Sequence, residues 1–366
     1  GVLTAVRNVR GEIARRLEGM DARDQGAIDG ALIELDGSPS LRRLGANGVL
    51  AASLAVARAA AAHQRVPLYR HVNQLAGGPA MCLPMPMTNL LSGGHSGAGL
   101  DFQDVMMVPL GAASFADAVA MIARVRAALP KVADAQGIPL RLAEDGGAIP
   151  GISDVGMVFE MLMRSFEAAG LQPGAQVAIA VDVAASELHR DGHYALAGGM
   201  RRLSRAGMID MLRGLVGRFP IVSVEDALDQ DDWDGWCEFT RAAPDIQIVG
   251  DDLFATNAAR IARGIKAGAA NAALIKLNQN GTLTGTITAI GALRAAGFGT
   301  IVAARSGDTE DTFMADFAVG TGVGQIKIGA FRNTERVAKY NRLSRIEEEA
   351  GLPFAGAPAI RLRQEG

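Results

Sequence analysis

Apolar runs of four to six residues recur along the second half of the chain, and a charged residue sits at or beside the end of each. The runs are Val177–Asp182, Ile221–Glu225, Ile246–Asp251, Ala272–Lys276, Thr300–Ala304 and Gln325–Ile328. Their length and continuity predict buried strands. Most of the gaps between them carry apolar positions at helical spacing, and a helix is predicted over Arg336–Ala350 after the last run. Asp308–Val319 also has helical spacing, with an acidic first turn that suits a helix N-terminus.

Upstream the pattern differs. Val6, Val9, Ile13 and Leu17 form one helical stripe, Asp24–Leu35 continues it, and Ala46–His63 is an Ala-rich helix ending before Pro67. Residues 1–79 are therefore expected to form a small helical domain with Ala76-Gly77-Gly78-Pro79 as its exit. Pro84–Leu91 and Phe102–Val108 read as strands joined too closely for a crossover helix, so they are expected to be antiparallel. Helices are predicted over Ser114–Leu129 and Ser153–Ala169, with a loop at Leu142–Gly147 between them. Two opening strands plus six make eight, the number that closes an α/β barrel, here over residues 80–366. An open doubly wound sheet ranks second, because no Gly-x-Gly-x-x-Gly turn follows the first strand.

In such barrels the chemistry sits at the C-terminal strand ends. Asp182, Glu225 and Asp251 end three successive strands. Converging carboxylates repel unless a cation lies among them, and hard oxygen ligands point to Mg²⁺. Separate salt bridges or helix caps are the plainer alternative. Asp226 and Asp252 follow two of these residues and are candidates to support them. Lys276 and Lys327 end two further strands, on either side of Arg305-Ser306 in the strand order. A lysine near a metal and a second lysine can act as a base, and two lysines beside Mg²⁺ can hold a carboxylate substrate as its enolate. Simple pairing with the carboxylates would also account for them. Arg305 with Ser306 suits a phosphate, and a structural arginine paired with Asp308 or Asp311 is the other reading.

Composition bounds the function classes. The chain has 366 residues, 49% apolar and 20% charged, with a net charge of −3. That is a large core and no basic footprint for nucleic acid or an anionic membrane. The longest Ala-rich run, Gly48–Ala62, contains Arg58 and is too short to span a bilayer. Cys82 and Cys237 follow no metal spacing and read as unpaired, buried thiols, which fits a reducing, cytoplasmic setting.

Long segments then resemble the enolases: Gly45-Ala46-Asn47, Pro84-Met85-Pro86-Met87, Val181–Glu187, Ser223–Asp226 and Asp231–Trp236. Gly250–Phe254, Leu274–Gln279, Arg305-Ser306-Gly307 with Thr309-Glu310-Asp311, Gly324–Lys327 and Arg336–Asn341 continue the match in the same order. The resemblance covers nearly the whole chain. It implies an enolase-type barrel with two antiparallel opening strands under an N-terminal capping domain, and Mg²⁺ on Asp182, Glu225 and Asp251. It implies a reversible dehydration of 2-phosphoglycerate to phosphoenolpyruvate. Lys276 would remove the α-proton, Lys327 would stabilise the enolate, and Arg305 and Ser306 would hold phosphate. A homodimer is also implied.

The departures cluster. The family's acid glutamate falls on Asp145, in Ala143-Glu144-Asp145-Gly146-Gly147, and a second family glutamate falls on Asp104. The family histidine before Arg-Ser-Gly falls on Ala304, and the loop holding His95, a candidate substrate contact, is one residue shorter than usual. The family's first segment, with a sheet of the capping domain, part of the dimer interface and a serine loop reaching a second Mg²⁺, has no counterpart in the sequence, so the capping domain is expected to be incomplete. Metal ligands, lysines and phosphate turn are kept, and the acid side has changed. The expectation is an enolate-forming enzyme whose elimination is slowed or redirected. An epimerase or dehydratase of another phosphorylated acid and a catalytically weak paralogue remain as alternatives.

Overall fold

The structure, a computed structural model, describes residues 2–93 and 99–360; His95 lies outside the described residues. Eight strands form the barrel: β1 Met85–Ser92, β2 Asp104–Val108, β3 Ala178–Asp182, β4 Ile221–Glu225, β5 Gln247–Gly250, β6 Ala272–Ile275, β7 Gly299–Ala303 and β8 Gly324–Lys327. β2 runs antiparallel to both β1 and β3, and every later neighbour is parallel. β8 pairs in parallel with β1 from Met85↔Gln325 to Met87↔Lys327, which closes the sheet and leaves no doubly wound open edge.

Strand side chains alternate between faces. Met85, Met87, Met106, Ala180, Leu274 and Ile301 fill the interior, while Val105, Met107, Val181, Ile275 and Val302 face the helices. Burial on both faces explains why these strands read as continuous apolar runs. Each such Val, Leu, Ile or Met side chain contributes about 1.5–3 kcal/mol by leaving water. One irregularity shapes the mouth. The β1–β2 register skips between Asn89 and Leu91, a bulge that shifts the alternation by one residue. Leu90 and Leu91 therefore both join the outer core, and Asn89 and Ser92 both turn into the barrel mouth.

Helices Leu3–Asn8, Ala14–Leu17, Gln25–Asp36, Ala46–Gln64 and Leu68–Leu75, with a π-turn at Val9–Ile13, make the N-terminal domain around Ile13, Ile28, Leu32 and Val49. This domain caps the barrel helix Leu283–Ala295. Leu283 N donates to Ser53 Oγ (3.0 Å), Thr284 N to Asp29 Oδ2 (2.9 Å) and Gly285 N to Thr282 Oγ1 (3.2 Å). Three otherwise unsatisfied first-turn donors are thus satisfied, two of them by the other domain.

Four details differ from the sequence pattern. The helix expected to end at Leu129 runs from Phe115 to Ala135, through exposed Pro130, because Leu129 and Ala133 stay buried on one face. The expected loop at Leu142–Gly147 is the tip of a hairpin, Leu140–Leu142 with Ala148–Pro150, whose Ala148 pairs with Leu91 of β1. The helix expected from Asp308 starts at Phe313. Asp311 accepts from Phe313 N (2.8 Å) and pairs with Arg58 of the capping domain (2.7 Å), so the acidic turn precedes the helix. A three-stranded antiparallel sheet at His189–Arg190, His193–Leu196 and Arg201–Leu203 was not foreseen, its strands being too short for a period to show. The two cysteines are unpaired and half-buried.

Candidate active site

The charged strand ends converge on one cavity of about 340 Å³ at the barrel mouth. Asp104, Asp145, Asp182, Asp226, Asp251, Asp252, Lys276, Arg305, Ser306 and Lys327 all line it. Asp104 comes from the start of β2, which faces the same mouth because β2 runs backwards; it sits opposite Asp182 in the β2–β3 register.

The carboxylates are held by the two lysines. Lys327 Nζ donates to Asp182 (2.7 Å) and Glu225 (2.8 Å) and lies 3.9 Å from Asp104. Burial alone would push its ammonium down, but Asp182, Glu225 and Asp104 hold it well above the ordinary lysine range. Lys327 is therefore a fixed positive charge. Lys276 Nζ donates to Asp251 Oδ2, and Gln279 Nε2 donates to Asp251 Oδ1 (3.0 Å). Burial would raise the Asp251 carboxyl, yet Lys276 and Lys327 hold it below the usual carboxylate range. Thr256 links this group, accepting from Lys276 N (3.0 Å) and donating to Gln279 (2.7 Å).

Of the three expected metal ligands, Asp182 and Glu225 meet at Lys327 while Asp251 meets Lys276. Among the described residues, the carboxylates whose oxygens cluster tightly enough for one ion are Asp226, Asp251 and Asp252. Asp226 is a poor ligand there. Its two oxygens accept from Asp251 N (3.0 Å) and Asp252 N (2.9 Å), so it braces the β5 end, in the supporting place expected for it. Burial, then the Asp251 charge, raises its carboxyl well above the ordinary range. Asp226 also adopts a left-handed backbone (φ 45), as does Ala184 (φ 48) beyond Asp182. Such strain at two strand ends persists only where the surroundings impose it. Glu225 is raised well above its usual value by burial and then by Asp182, and its Oε1 is buried without a hydrogen-bond partner among the described residues.

The acid side forms a second cluster. Asn89 Nδ2 donates to Asp104 Oδ1 (2.7 Å), to Ser92 Oγ (2.8 Å) and to Asp145 Oδ2. Ser92 Oγ lies 3.3 Å from Asp104 and 3.2 Å from Asp145. The hairpin can lie this close because residue 147 is glycine, where a Cβ would stand 2.3 Å from Ser92 Oγ. Burial raises Asp104 to about 6, with Lys327 opposing and Asp182 and Asp145 adding. Asn89 and Ser92 were missed in the sequence, although an asparagine inside an apolar strand was a sign of them.

Arg305 and Ser306 also line the cavity and are exposed, Ser306 beside a pocket it shares with Ser92, Asp104 and Asp145, and Arg305 makes no side-chain hydrogen bond or ion pair among the described residues. Asp308 and Asp311, its alternative partners, are taken by Lys339 and Arg58. Buried Arg336 fixes the turn by donating to Ser306 O (2.8 Å) and Ile328 O (3.1 Å). Ala304 leaves only a methyl beside it.

Among the described residues, no helix is long and apolar enough to cross a membrane. Residues 80–361 match the family described as "Enolase, C-terminal TIM barrel domain", and residues 1–72 match "Enolase, N-terminal domain". With the closed barrel, the helical cap and the charged mouth in place, these matches mean that the chain belongs to the enolase family.

Proposed function

We propose that the protein is a Mg²⁺-dependent carbon–oxygen lyase that removes the α-proton of 2-phosphoglycerate and releases the β-hydroxyl to give phosphoenolpyruvate. The observation that carries this reading is the convergence of two lysines with an excess of carboxylates on one cavity, which also holds an arginine–serine turn whose Arg305 side chain has no hydrogen bond or ion pair among the described residues. The residues fit a divalent cation. The buried, orphaned Glu225 Oε1 and the excess of carboxylate over ammonium call for one more positive charge. Asp182, Glu225 and Asp251 would hold it. Bound there, Mg²⁺ supplies Lewis-acid stabilisation of the negative charge that builds on the substrate carboxylate.

The chain's own groups then divide the work. Arg305 and Ser306 hold the phosphate and fix the acid's orientation. Lys276 Nζ takes the proton from the α-carbon. The electron pair moves onto the carboxylate, where the Lys327 ammonium opposes its charge. The carbon–carbon double bond forms as the β-hydroxyl leaves with a proton from the Asp104–Asp145 side, as water. Residues 1–79 act as the cap and 80–366 as the catalytic unit, and the family resemblance points to a homodimer.

A second form of this reading has its own support. Asp at 104 and 145 and Ala at 304 shorten or remove groups on the acid side alone, so proton abstraction would outpace elimination. Incubating the full chain with 2-phosphoglycerate and Mg²⁺ in D₂O tests both. Deuterium at the α-carbon is expected, with phosphoenolpyruvate forming more slowly. Absence of exchange would sink the proposal.

A further inference from the structure

We propose that Asn89 is a positioning residue, which together with Ser92 yokes the Asp104 and Asp145 carboxyls into one acid unit. The inference rests on the lyase reading above and names how its acid side is built.

Asn89 is about 1% exposed, and its Nδ2 carries two hydrogens but faces three acceptors: Asp104, Asp145 and Ser92. Ser92 brings one hydroxyl hydrogen and faces oxygens of both carboxyls. Both carboxyls thus share the same two donor groups, Asn89 Nδ2 and Ser92 Oγ, so neither can shift without disturbing the hydrogen bonds of the other.

The backbone makes this arrangement possible. Without the bulge after Asn89, residues 89 and 92 would point to opposite faces of β1. The extra residue brings both into the mouth. The hairpin tip is pinned over them through Ala148↔Leu91 and Gly147 N donating to Asp145 Oδ1 (3.0 Å). Two shortened carboxyls that approach from separate elements thus end on the same amide and the same hydroxyl. In the reaction, the unit gives one proton to the departing β-hydroxyl, which leaves as water, and is reprotonated from solvent.

The test uses the full chain with Mg²⁺ and 2-phosphoglycerate in D₂O, following α-hydrogen exchange and phosphoenolpyruvate on the same samples. Asn89→Ala is expected to lower elimination relative to exchange by about tenfold or more, while exchange stays close to the wild-type rate. Ser92→Ala should do the same to a smaller degree, and Asn89→Thr, which returns one donor, should recover part of the loss. Circular-dichroism melts accompany each variant. If Asn89→Ala does not fold, Ser92→Ala, which deletes a single oxygen, decides the matter. Equal loss of both rates, or no change in their ratio, overturns the inference and leaves the lyase reading standing. A wild-type protein that exchanges without eliminating, or that does neither, overturns the lyase reading itself.

Discussion

Replacing Lys327 by methionine tests the electrostatics of the mouth directly. The change keeps the stem and removes the ammonium that Asp182 and Glu225 share at 2.7 and 2.8 Å. At an effective dielectric of 20, each contact carries a gross attraction of about 6 kcal/mol, most of it offset by desolvation. The measurable quantity is the cost of leaving buried carboxylates unpaired, which is about 3–5 kcal/mol when one partner of a buried pair is removed. Trp233 and Trp236 both sit on the barrel helix Trp233–Ala242, so tryptophan fluorescence during urea unfolding reports on the barrel. In EDTA, Lys327→Met is expected to lose about 3–5 kcal/mol relative to wild type. In excess Mg²⁺ the deficit should shrink, because a cation can neutralise the same oxygens, and binding at a hundredfold over Kd returns about 2.7 kcal/mol. A deficit below about 1 kcal/mol in EDTA, the size of a surface pair, would refute the reasoning. So would a deficit that Mg²⁺ leaves unchanged.

Three further outcomes follow from other parts of the molecule. Asp29→Ala removes the acceptor for Thr284 N and Thr284 Oγ1 (2.8 Å) at the domain junction. It should cost about 3 kcal/mol in the urea midpoint analysis, and a loss under about 0.5 kcal/mol would deny the junction its role. His71 is buried with both ring nitrogens unpartnered among the described residues, and burial depresses its pKa below 6.5. The unfolded chain therefore binds the proton first, and stability should fall as pH drops below about 6.5, by at most about 1.4 kcal/mol per pH unit. His71→Leu should flatten that part of the stability–pH curve; an unchanged slope counts against it. The triple change Ala304→His, Asp104→Glu and Asp145→Glu should raise phosphoenolpyruvate formation relative to exchange, and no gain in that assay would point to a different substrate.

Much of this molecule is legible without coordinates. Buried parallel strands must be apolar along their whole length, so each announces itself, and a charge at its end is conspicuous because burial makes charge costly. That is why Asp182, Glu225, Asp251, Lys276, Arg305 and Lys327 stand out in the sequence, and why eight strands and a helical cap can be counted from it. Tertiary structure decided what those charges do to one another. Lys276 and Lys327 look alike on paper, but only the closing of β8 against β1 puts Lys327 among Asp182, Glu225 and Asp104 and fixes it as a cation. Asp226 reads in sequence as a group that supports a neighbouring ligand, and only the β4–β5 pairing shows how, by committing its oxygens to the backbone donors of Asp251 and Asp252. The acid side depends most on the fold. A one-residue bulge at Asn89 and a short hairpin packed against β1 join four residues that lie as far as 56 positions apart. Periodicity reports only the average face of an element, and it is blind to the single extra residue that turned Asn89 and Ser92 the same way.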